Sequence, residues 1–151
     1  RFDLANLAKT TAEQMSLLAE DKNITIACNA SQSVEVEGDP SRLKQVVVNL
    51  LDNAIKYTQP GGAVQLQVRR SNGHAVLEVQ DNGVGIPGEA LPHVFDRFYR
   101  VDDVRSGDFE GAGLGLSIAK SICSAHGAEI QATSLLSQGS CFRVTLPLSK
   151  N

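Results

Sequence analysis

Residues 39–58, DPSRLKQVVVNLLDNAIKYT, decide the fold predicted for this chain. Asp39 is suited to be a helix N-cap, and Pro40 suits the first helical turn, where its missing N–H costs nothing. Apolar residues then recur at helical spacing, and Pro60 stands just beyond the end of the stretch. The stretch therefore predicts an amphipathic helix over about 40–57.

One face of this helix carries an unusual polar stripe. Asn49, Asn53, Lys56 and Tyr57 lie at i, i+4, i+7 and i+8, inside one sector of the helix. A solvated surface is the ordinary interpretation of such a stripe. Asparagine, however, is a poor helix former and occurs here twice, one turn apart. Amide oxygens can ligate Mg²⁺, a lysine can meet a phosphate, and an aromatic ring can stack on a base.

Length and composition limit the class of protein. The 151 residues, 42% hydrophobic and 21% charged, predict one globular domain over 1–151. A net charge of -3 and a pI of 5.6 argue against binding nucleic acid or an anionic membrane by charge alone. No apolar run approaches the roughly 18 residues of a membrane span. We therefore expect a soluble domain with no nucleic-acid partner, and Cys28, Cys123 and Cys141, which lack paired or metal-like spacing, predict a cytoplasmic setting.

The elements predicted around the central helix alternate hairpins with single helices. In chain order they are a helix over 3–22, strands near 24–28 and 34–36, the helix over 40–57, a strand from Val64 to an Asn72-Gly73 hairpin turn, a return strand over 75–81, a short helix near 89–99, a helix from about 114 ending at Gly127, and strands near 128–134 and 140–146. The apolar face of the helix from 114 is assigned to Ile118, Ala119, Ile122 and Cys123. This order predicts an α+β fold: a two-layer sandwich in which a mixed, mainly antiparallel sheet of about five strands packs against three helices.

Two glycine-rich stretches are further candidate sites. DNGVGIP, residues 81–87, follows a strand and is read either as an ordinary turn or as a carboxylate with a glycine-lined surface for a flat ring. GAGLGL, residues 111–116, opens a helix and could bind an anion, although a lone glycine repeat is weak evidence. The charged, glycine-containing segment before it is predicted to be mobile. Between the two stretches, HVFDRFYR offers Arg97 and Arg100, of which one is assigned to a phosphate and the other to an ion pair.

These stretches, in this order and spacing, resemble the N, G1, F and G2 boxes of the catalytic and ATP-binding domain of sensor histidine kinases. That domain belongs to the superfamily of gyrase, Hsp90, histidine kinase and MutL ATPases. The resemblance extends from about residue 3 to the closing GSCFRVTLPL, and residues 39–58 match it most specifically. It implies the Bergerat fold, ATP and Mg²⁺ as cofactors, and a flexible ATP lid over about 101–112.

The resemblance also implies roles for individual residues. Asn53 would be the main Mg²⁺ ligand, and Asn49 a metal-shell or phosphate partner. Lys56 and Arg100 would contact the terminal phosphates, and Asp81 would accept the adenine amine. The other residues that it assigns to the nucleotide are Tyr57 against the adenine, Gly83, Gly85 and Ile86 at the pocket floor, Gly111, Gly113, Leu114, Gly115 and Leu116 over the phosphates, and Tyr99 and Thr145.

Asn49 favours a kinase over a hydrolase. In the related hydrolases this place holds a glutamate that takes a proton from the attacking water, and an amide cannot do so. A histidine acceptor needs no such base, because neutral imidazole already offers a lone pair. Two alternatives stay open: an ATP-hydrolysing domain of the same superfamily, and a nucleotide-binding or docking module without catalysis.

The phosphate acceptor is expected outside this chain. His74, His93 and His126 do not lie in the start of a phosphoacceptor helix. We therefore predict a monomeric catalytic domain of a longer kinase, whose dimerisation and phosphoacceptor domain is absent from this chain. The expected partners are that helical domain and a downstream response regulator, in a parent protein compatible with an inner-membrane anchor.

Overall fold

The computed structural model of the chain describes residues 1–30, 32–96, 115–135 and 138–149. In chain order its elements are β1 (Phe2–Asp3), α1 (Leu4–Asp21), β2 (Thr25–Asn29), β3 (Glu35–Val36), α2 (Pro40–Tyr57), β4 (Ala63–Ser71), β5 (His74–Asp81), a 3₁₀-helix (Leu91–His93), α3 (Gly115–Ala125), β6 (Glu129–Leu135) and β7 (Gly139–Pro147). None of the helices within these ranges is both long enough and apolar enough to cross a membrane.

Five strands form one mixed sheet in the order β2-β4-β5-β7-β6. β2 runs parallel to β4, and the other neighbouring pairs are antiparallel. The hairpin between β4 and β5 turns at Asn72 and Gly73, whose φ angles of 52° and 80° fit the predicted two-residue turn. β1 and β3 pair separately as a two-stranded antiparallel ribbon, so the predicted hairpin of the strands near 24–28 and 34–36 is wrong. The predicted mixed, mainly antiparallel sheet is confirmed.

The three helices cover one face of this sheet. α1 contacts β2 and β4, α2 contacts the central β4 and β5, and α3 contacts α2 and β6. Among the largest fully buried side chains between the layers are Leu50, Leu51, Leu66, Val79 and Phe142. The opposite, open face of the sheet carries mainly polar side chains, among them Gln80, Arg143 and Glu129, although Val76 on that face is buried. The chain is therefore a two-layer α+β sandwich, as predicted.

Both ends of α2 are fixed by side chains. At its start the Asp39 carboxylate accepts hydrogen bonds from the N–H groups of Ser41 and Arg42 at 3.0 and 3.3 Å, so the predicted N-cap is confirmed. At its end the Lys22 ammonium lies 2.9 and 2.8 Å from the carbonyl oxygens of Ile55 and Lys56. A cation there satisfies carbonyls that have no partner within the helix and complements the helix dipole.

The short helix predicted over 89–99 is not continuous in the part of the segment that the structure describes. Only Leu91–His93 form a 3₁₀-helix, and Ala90, His93 and Asp96 each donate to a carbonyl three residues earlier. Pro92 lacks an N–H and suits only the first helical turn, so separate tight turns replace a continuous α-helix. Residues 97–99 lie outside the described ranges.

α3 ends as predicted, but its apolar face is narrower. Gly127 has a φ of 68°, its N–H donates to the Ser124 carbonyl, and the Ala128 N–H donates to the Cys123 carbonyl, which together form a Schellman cap. Ala119, Ile122 and Cys123 are buried. The assignment of Ile118 to the buried face is wrong: Ile118 is 43% exposed, because it lies at the edge of that stripe.

Candidate functional site

The polar stripe of α2 lies beside the core and is not fully solvated. Asn49, Asn53, Lys56 and Tyr57 are all half-buried, whereas Leu50 and other residues of the opposite face are fully buried. Lys56 forms an ion pair with Asp52 one turn earlier, with 3.2 Å between Nζ and Oδ2. The stripe therefore presents amides, a cation and an aromatic ring along one sheltered edge of the helix.

The Asn49 amide joins α2 to the beginning of α3. Its Oδ1 accepts a hydrogen bond of 2.7 Å from Gln45 Nε2, and its Nδ2 donates one of 2.9 Å to the carbonyl of Gly115. Oδ1 keeps one lone pair, because an amide oxygen can accept two hydrogen bonds. The side chain of Asn53 makes no hydrogen bond with any residue that the structure describes. Two amide oxygens are thus available on adjacent turns.

Asp81 is a buried carboxylate surrounded by donors. It is 4% exposed at the end of β5. Its Oδ1 accepts from the N–H of Gly83 at 2.9 Å and the N–H of Ser140 at 3.3 Å, and its Oδ2 accepts from the Ser140 hydroxyl at 3.0 Å. Oδ1 is thereby saturated, while Oδ2 has accepted one hydrogen bond from the described residues and can take another.

Burial sets the electrostatics of this carboxylate. Desolvation raises the pKa of Asp81, and the hydrogen bonds from Gly83 and Ser140 oppose that rise. All of these groups donate to the carboxylate. The environment is consequently matched to an acceptor, and the further partner of Oδ2 should be a donor such as an exocyclic amine.

The loop that follows Asp81 is anchored by its backbone N–H groups. The Asn82 N–H donates to the Ala63 carbonyl, and that of Gly83 donates to Asp81 itself. The Val84 N–H donates to the Tyr57 carbonyl at the end of α2. The Ile86 N–H donates to the hydroxyl of Ser134 on β6 at 2.6 Å. The loop is therefore fixed to the sheet on one side and to α2 on the other.

Gly83 lies in close contact with the end of α2. A Cβ built on Gly83 would lie 2.1 Å from the carbonyl oxygen of Tyr57 and 2.9 Å from Cα of Thr58, closer than any side chain permits. Gly85 has a φ of 78°, in the left-handed region that glycine favours. Both glycines are buried, and so is Ile86. The DNGVGIP stretch is thus packed against the end of α2 and the sheet, unlike an ordinary surface turn.

Thr145 is the one described residue of the predicted set that is remote from this group. It lies five residues beyond Ser140 on β7, and its partners across the sheet are Val76 and Glu129. Alternation along β7 buries Ser140 and Phe142 against the helices, whereas Thr145 belongs to the open face. The structure therefore does not bring Thr145 together with Asp81.

Two serines belong to the site but were not predicted from the sequence. Ser140 holds both oxygens of Asp81, and Ser134 receives the Ile86 N–H and donates to the Gly139 carbonyl at 2.9 Å. The only sequence signal is that both alternate with apolar residues at the beginning or end of a strand. That signal does not tell which strands pair, so it could not link them with Asp81.

Part of the predicted site lies outside the described residues: Tyr99, Arg100, Gly111, Gly113, Leu114 and the predicted lid over 101–112. Gly115 is the first residue of α3, where its carbonyl meets Asn49. Leu116 is half-buried and packs against the core. These two bring the end of the GAGLGL stretch to the polar stripe of α2.

The described residues contain no group of three or more His, Cys, Asp or Glu side chains that would enclose a metal by themselves. Asn49 and Asn53 offer neutral oxygens instead. That set suits Mg²⁺, which takes few protein ligands when phosphates and waters complete its shell. The donor set therefore fits a metal that arrives with a nucleotide.

A buried acceptor carboxylate, a glycine-lined loop and a polar helix face on one α+β sandwich define a nucleotide-binding domain. The chain belongs to the family of histidine kinase-, DNA gyrase B- and HSP90-like ATPases, whose family model matches residues 38–150.

Individual relatives are histidine kinases. The circadian input-output histidine kinase CikA of Synechococcus elongatus is 36% identical over 149 residues, which are 97% of this chain and 20% of that protein. The mycobacterial sensor histidine kinase MprB superposes with a TM-score of 0.84 and 30% identity, over 99% of this chain and 98% of that one. Full-length ShkA in complex with AMPPNP also superposes with a TM-score of 0.84 and 30% identity, over 99% of this chain and 31% of that one.

These similarities identify the chain as a histidine kinase ATP-binding domain. It spans only 20–25% of the length of the curated relatives it matches.

Proposed function

We propose that this chain binds Mg²⁺-ATP and transfers the γ-phosphoryl group to a histidine on a separate dimerisation and phosphoacceptor domain. The observation that carries the proposal is the buried Asp81 carboxylate, which has donors on Oδ1 and one acceptor position left on Oδ2. An adenine amine supplies the missing donor, whereas the 6-oxo group of guanine would oppose a carboxylate there. AMPPNP, an analogue of ATP, is bound in the ShkA structure.

Position 49 favours transfer over hydrolysis. The Asn49 amide has no basic lone pair with which to take a proton from water. Its oxygen and nitrogen are already engaged with Gln45 and Gly115, so it acts as a positioned neutral group. We therefore expect slow phosphate release by the chain alone and transfer only when an imidazole is presented.

Asn53 and Asn49 would hold Mg²⁺, which when bound supplies positive charge between the phosphate oxygens. Lys56 adds a cation on the next turn, and Arg100 is assigned the same task. Tyr57 lies at the end of α2, where Gly83 brings the loop after Asp81 into contact. The chain thus provides position and charge compensation, which is most of what phosphoryl transfer requires of a protein.

The partners follow from the same reaction. The acceptor histidine belongs to a helical dimerisation domain outside this chain, and a response regulator takes the phosphoryl group from it. The relatives are sensor kinases several times longer than this chain, which supports such an arrangement. We assign the domain to the cytoplasm, where ATP is available.

Binding is tested by calorimetric titration of the chain with ATP, with and without Mg²⁺, and with GTP. We expect ATP to bind, Mg²⁺ to tighten its binding, and GTP to bind about fivefold to 150-fold more weakly, because one unmatched buried polar group costs about 1–3 kcal/mol. A folded chain that binds no adenine nucleotide would overturn the proposal and leave a docking module as the function.

Transfer is tested by adding the histidine-bearing helical hairpin of the same parent protein with γ-labelled ATP. We expect label on the hairpin and none on this chain alone, and a hairpin with the acceptor His replaced by Gln as control stays unlabelled. Rapid steady-state phosphate release without labelled histidine would instead identify an ATP-hydrolysing domain.

A further inference from the structure

A row of three polar side chains crosses the sheet next to the loop that follows Asp81. Asp81 on β5 is paired with Ser140 on β7, and Ser140 is paired with Ser134 on β6. All three project to the helix-covered side, where the next row along is Val79, Phe142 and Ala132. The polar row therefore marks the point where the apolar core ends beside the loop that follows Asp81.

The Ser134 hydroxyl both accepts and donates a hydrogen bond. Its oxygen accepts from the Ile86 N–H at 2.6 Å, and its hydrogen is donated to the Gly139 carbonyl at 2.9 Å. Ile86 and Gly139 are 53 positions apart in the chain and both are buried. One hydroxyl therefore ties the far end of the loop to the residue that precedes Ser140.

The hydrogen bond from Ile86 to Ser134 differs from the other hydrogen bonds that anchor the loop. The N–H groups of Asn82 and Val84 bond to backbone carbonyls, and that of Gly83 bonds to Asp81. Ile86 alone among these four bonds to a side chain outside the loop. Gly139 is equally constrained, since a Cβ on it would lie 1.9 Å from the carbonyl oxygen of Asp81. A shift of the Ser134 side chain would consequently move both the loop and the hydrogen-bonded pair of Asp81 and Ser140.

We propose that Ser134 is a positioning residue for the purine ring: its hydroxyl ties Ile86 to Gly139, the residue before Ser140, and so keeps the loop at the distance from Asp81 that the ring requires. The inference rests on the proposed binding of ATP by this chain. Ser134 itself does not touch the phosphates in this scheme, so its effect should fall on the base and not on the triphosphate.

The test compares Ser134→Ala with Ser134→Thr, which keeps a hydroxyl, and with Thr133→Ala. Thr133 is the matched control, because it is exposed and lies on the same strand with its side chain on the open face of the sheet. Affinities for ATP and for inorganic tripolyphosphate, which has no base, are measured by displacement of a fluorescent nucleotide. Amide exchange at Ile86 is followed by NMR.

Ser134→Ala removes both hydrogen bonds of the hydroxyl, of which the one to Ile86 acts on the loop, and we expect ATP affinity to fall about threefold to tenfold, the value of that one bond, with tripolyphosphate affinity unchanged. Exchange at Ile86 should accelerate, while amides of the central strands keep their protection. Ser134→Thr should restore most of the ATP affinity, and Thr133→Ala should behave as the unsubstituted chain.

Unchanged ATP affinity in a folded Ser134→Ala chain would overturn the positioning role, and so would equal losses for ATP and tripolyphosphate. Failure of the unsubstituted chain to bind ATP overturns the proposed function instead. The Ile86 exchange measurement separates the two failures, since it reports the hydrogen bond whether or not nucleotide binds.

Discussion

The side-chain amide of Asn49 donates a hydrogen bond of 2.9 Å to the backbone carbonyl of Gly115, which lies 66 positions later in the chain. At the other end of the same pair of helices, the Asp39 N–H donates to Nε2 of His126 at 3.1 Å. α3 is therefore joined to α2 by polar contacts near both of its own ends, as well as by packing: its start contacts the middle of α2, and its end contacts the N-cap of α2. Since α2 carries the polar stripe, these contacts fix it relative to the start of α3.

Gln45 is expected to act through Asn49. Gln45→Ala removes the donor that orients Oδ1 of Asn49, and we expect the rate of transfer to the hairpin to fall about threefold to tenfold, the value of one hydrogen bond. Asn49→Ala should cost more, because the contact with Gly115 is lost as well. Single-turnover transfer assays measure both. Gln14→Ala, an exposed glutamine of α1, is the control, and an equal loss there would contradict the assignment.

Asp81→Asn should separate stability from binding. Burial raises the pKa of Asp81, so the ionised form is disfavoured in the folded chain, and the contribution of this group to stability increases as pH falls through its folded pKa. The variant should thus unfold at an equal or higher temperature at neutral pH, with the difference closing in acid. ATP affinity should fall about tenfold or more.

Thermal scans from neutral to acidic pH and calorimetric titration measure the two effects of Asp81→Asn. A variant that loses stability at neutral pH would contradict the electrostatic account. A variant that binds ATP normally would contradict the assignment of Asp81 to the base.

Gly83→Ala should disturb the junction between the loop and α2. Its Cβ would lie 2.1 Å from the Tyr57 carbonyl oxygen, and overpacking of this kind costs about 1–3 kcal/mol. We expect a lower free energy of unfolding in urea and weaker ATP binding together. Gly88→Ala is the matched control, since a Cβ there meets nothing within 4 Å. Similar losses in both variants would show that the close approach is not the cause.

The free energy of unfolding should depend on pH through Glu78, which lies on the open face of the sheet. Burial raises the pKa of its carboxyl, but hydrogen bonds and charges from Arg69 and Arg143, at 3.0 and 2.7 Å, outweigh this and lower it. A lowered pKa contributes stability above the unfolded pKa that is lost as pH falls through the folded one.

Glu78→Gln should therefore cost about 0.5–1 kcal/mol at neutral pH, a figure that allows for solvent screening of the half-exposed arginines. The difference from the unsubstituted chain should vanish in acid, as urea unfolding at several pH values can measure. Glu129→Gln, an exposed glutamate on the same face that makes no ion pair with the described residues, is the control for loss of a carboxylate. A cost for Glu78→Gln that stays constant with pH would contradict the ion-pair account.

His126 is expected to contribute to stability through Asp39. Its Nδ1 lies 2.8 Å from the Ile122 carbonyl and its Nε2 receives the Asp39 N–H, so the ring joins the end of α3 to the start of α2. His126→Ala should lower the free energy of unfolding by about 0.5–1.5 kcal/mol, the net value of one hydrogen bond, because the exposed Asp39 N–H exchanges its partner for water. His74→Ala, at an exposed hairpin position, should cost much less. Equal losses of unfolding free energy in the two variants, measured in urea, would contradict a stabilising role for the contacts of His126.

Much of the fold follows from interactions within a few residues. The cap at Asp39 with Pro40, the Asn72-Gly73 turn and the helix end at Gly127 each depend on adjacent backbone groups, so the sequence alone predicts them. The alternation of apolar residues likewise predicts which side of each strand is buried. The polar stripe of α2 and the carboxylate of Asp81 are recognisable for the same reason, since each lies within one local pattern.

The assembly of the site was decided by tertiary structure. Asp81 meets Ser140 across 59 positions, whereas the residue of the same strand that the sequence analysis assigns to the nucleotide is Thr145. Both are hydroxyl residues on β7, and only the pairing of β5 with β7 shows which one faces the carboxylate. The same pairing extends the row to Ser134 on β6. The sequence by itself determined the elements and their polar faces, because local hydrogen bonds and burial specify them. The register between strands distant in the chain determined which of those groups meet, because it depends on packing of the whole sheet against the helices.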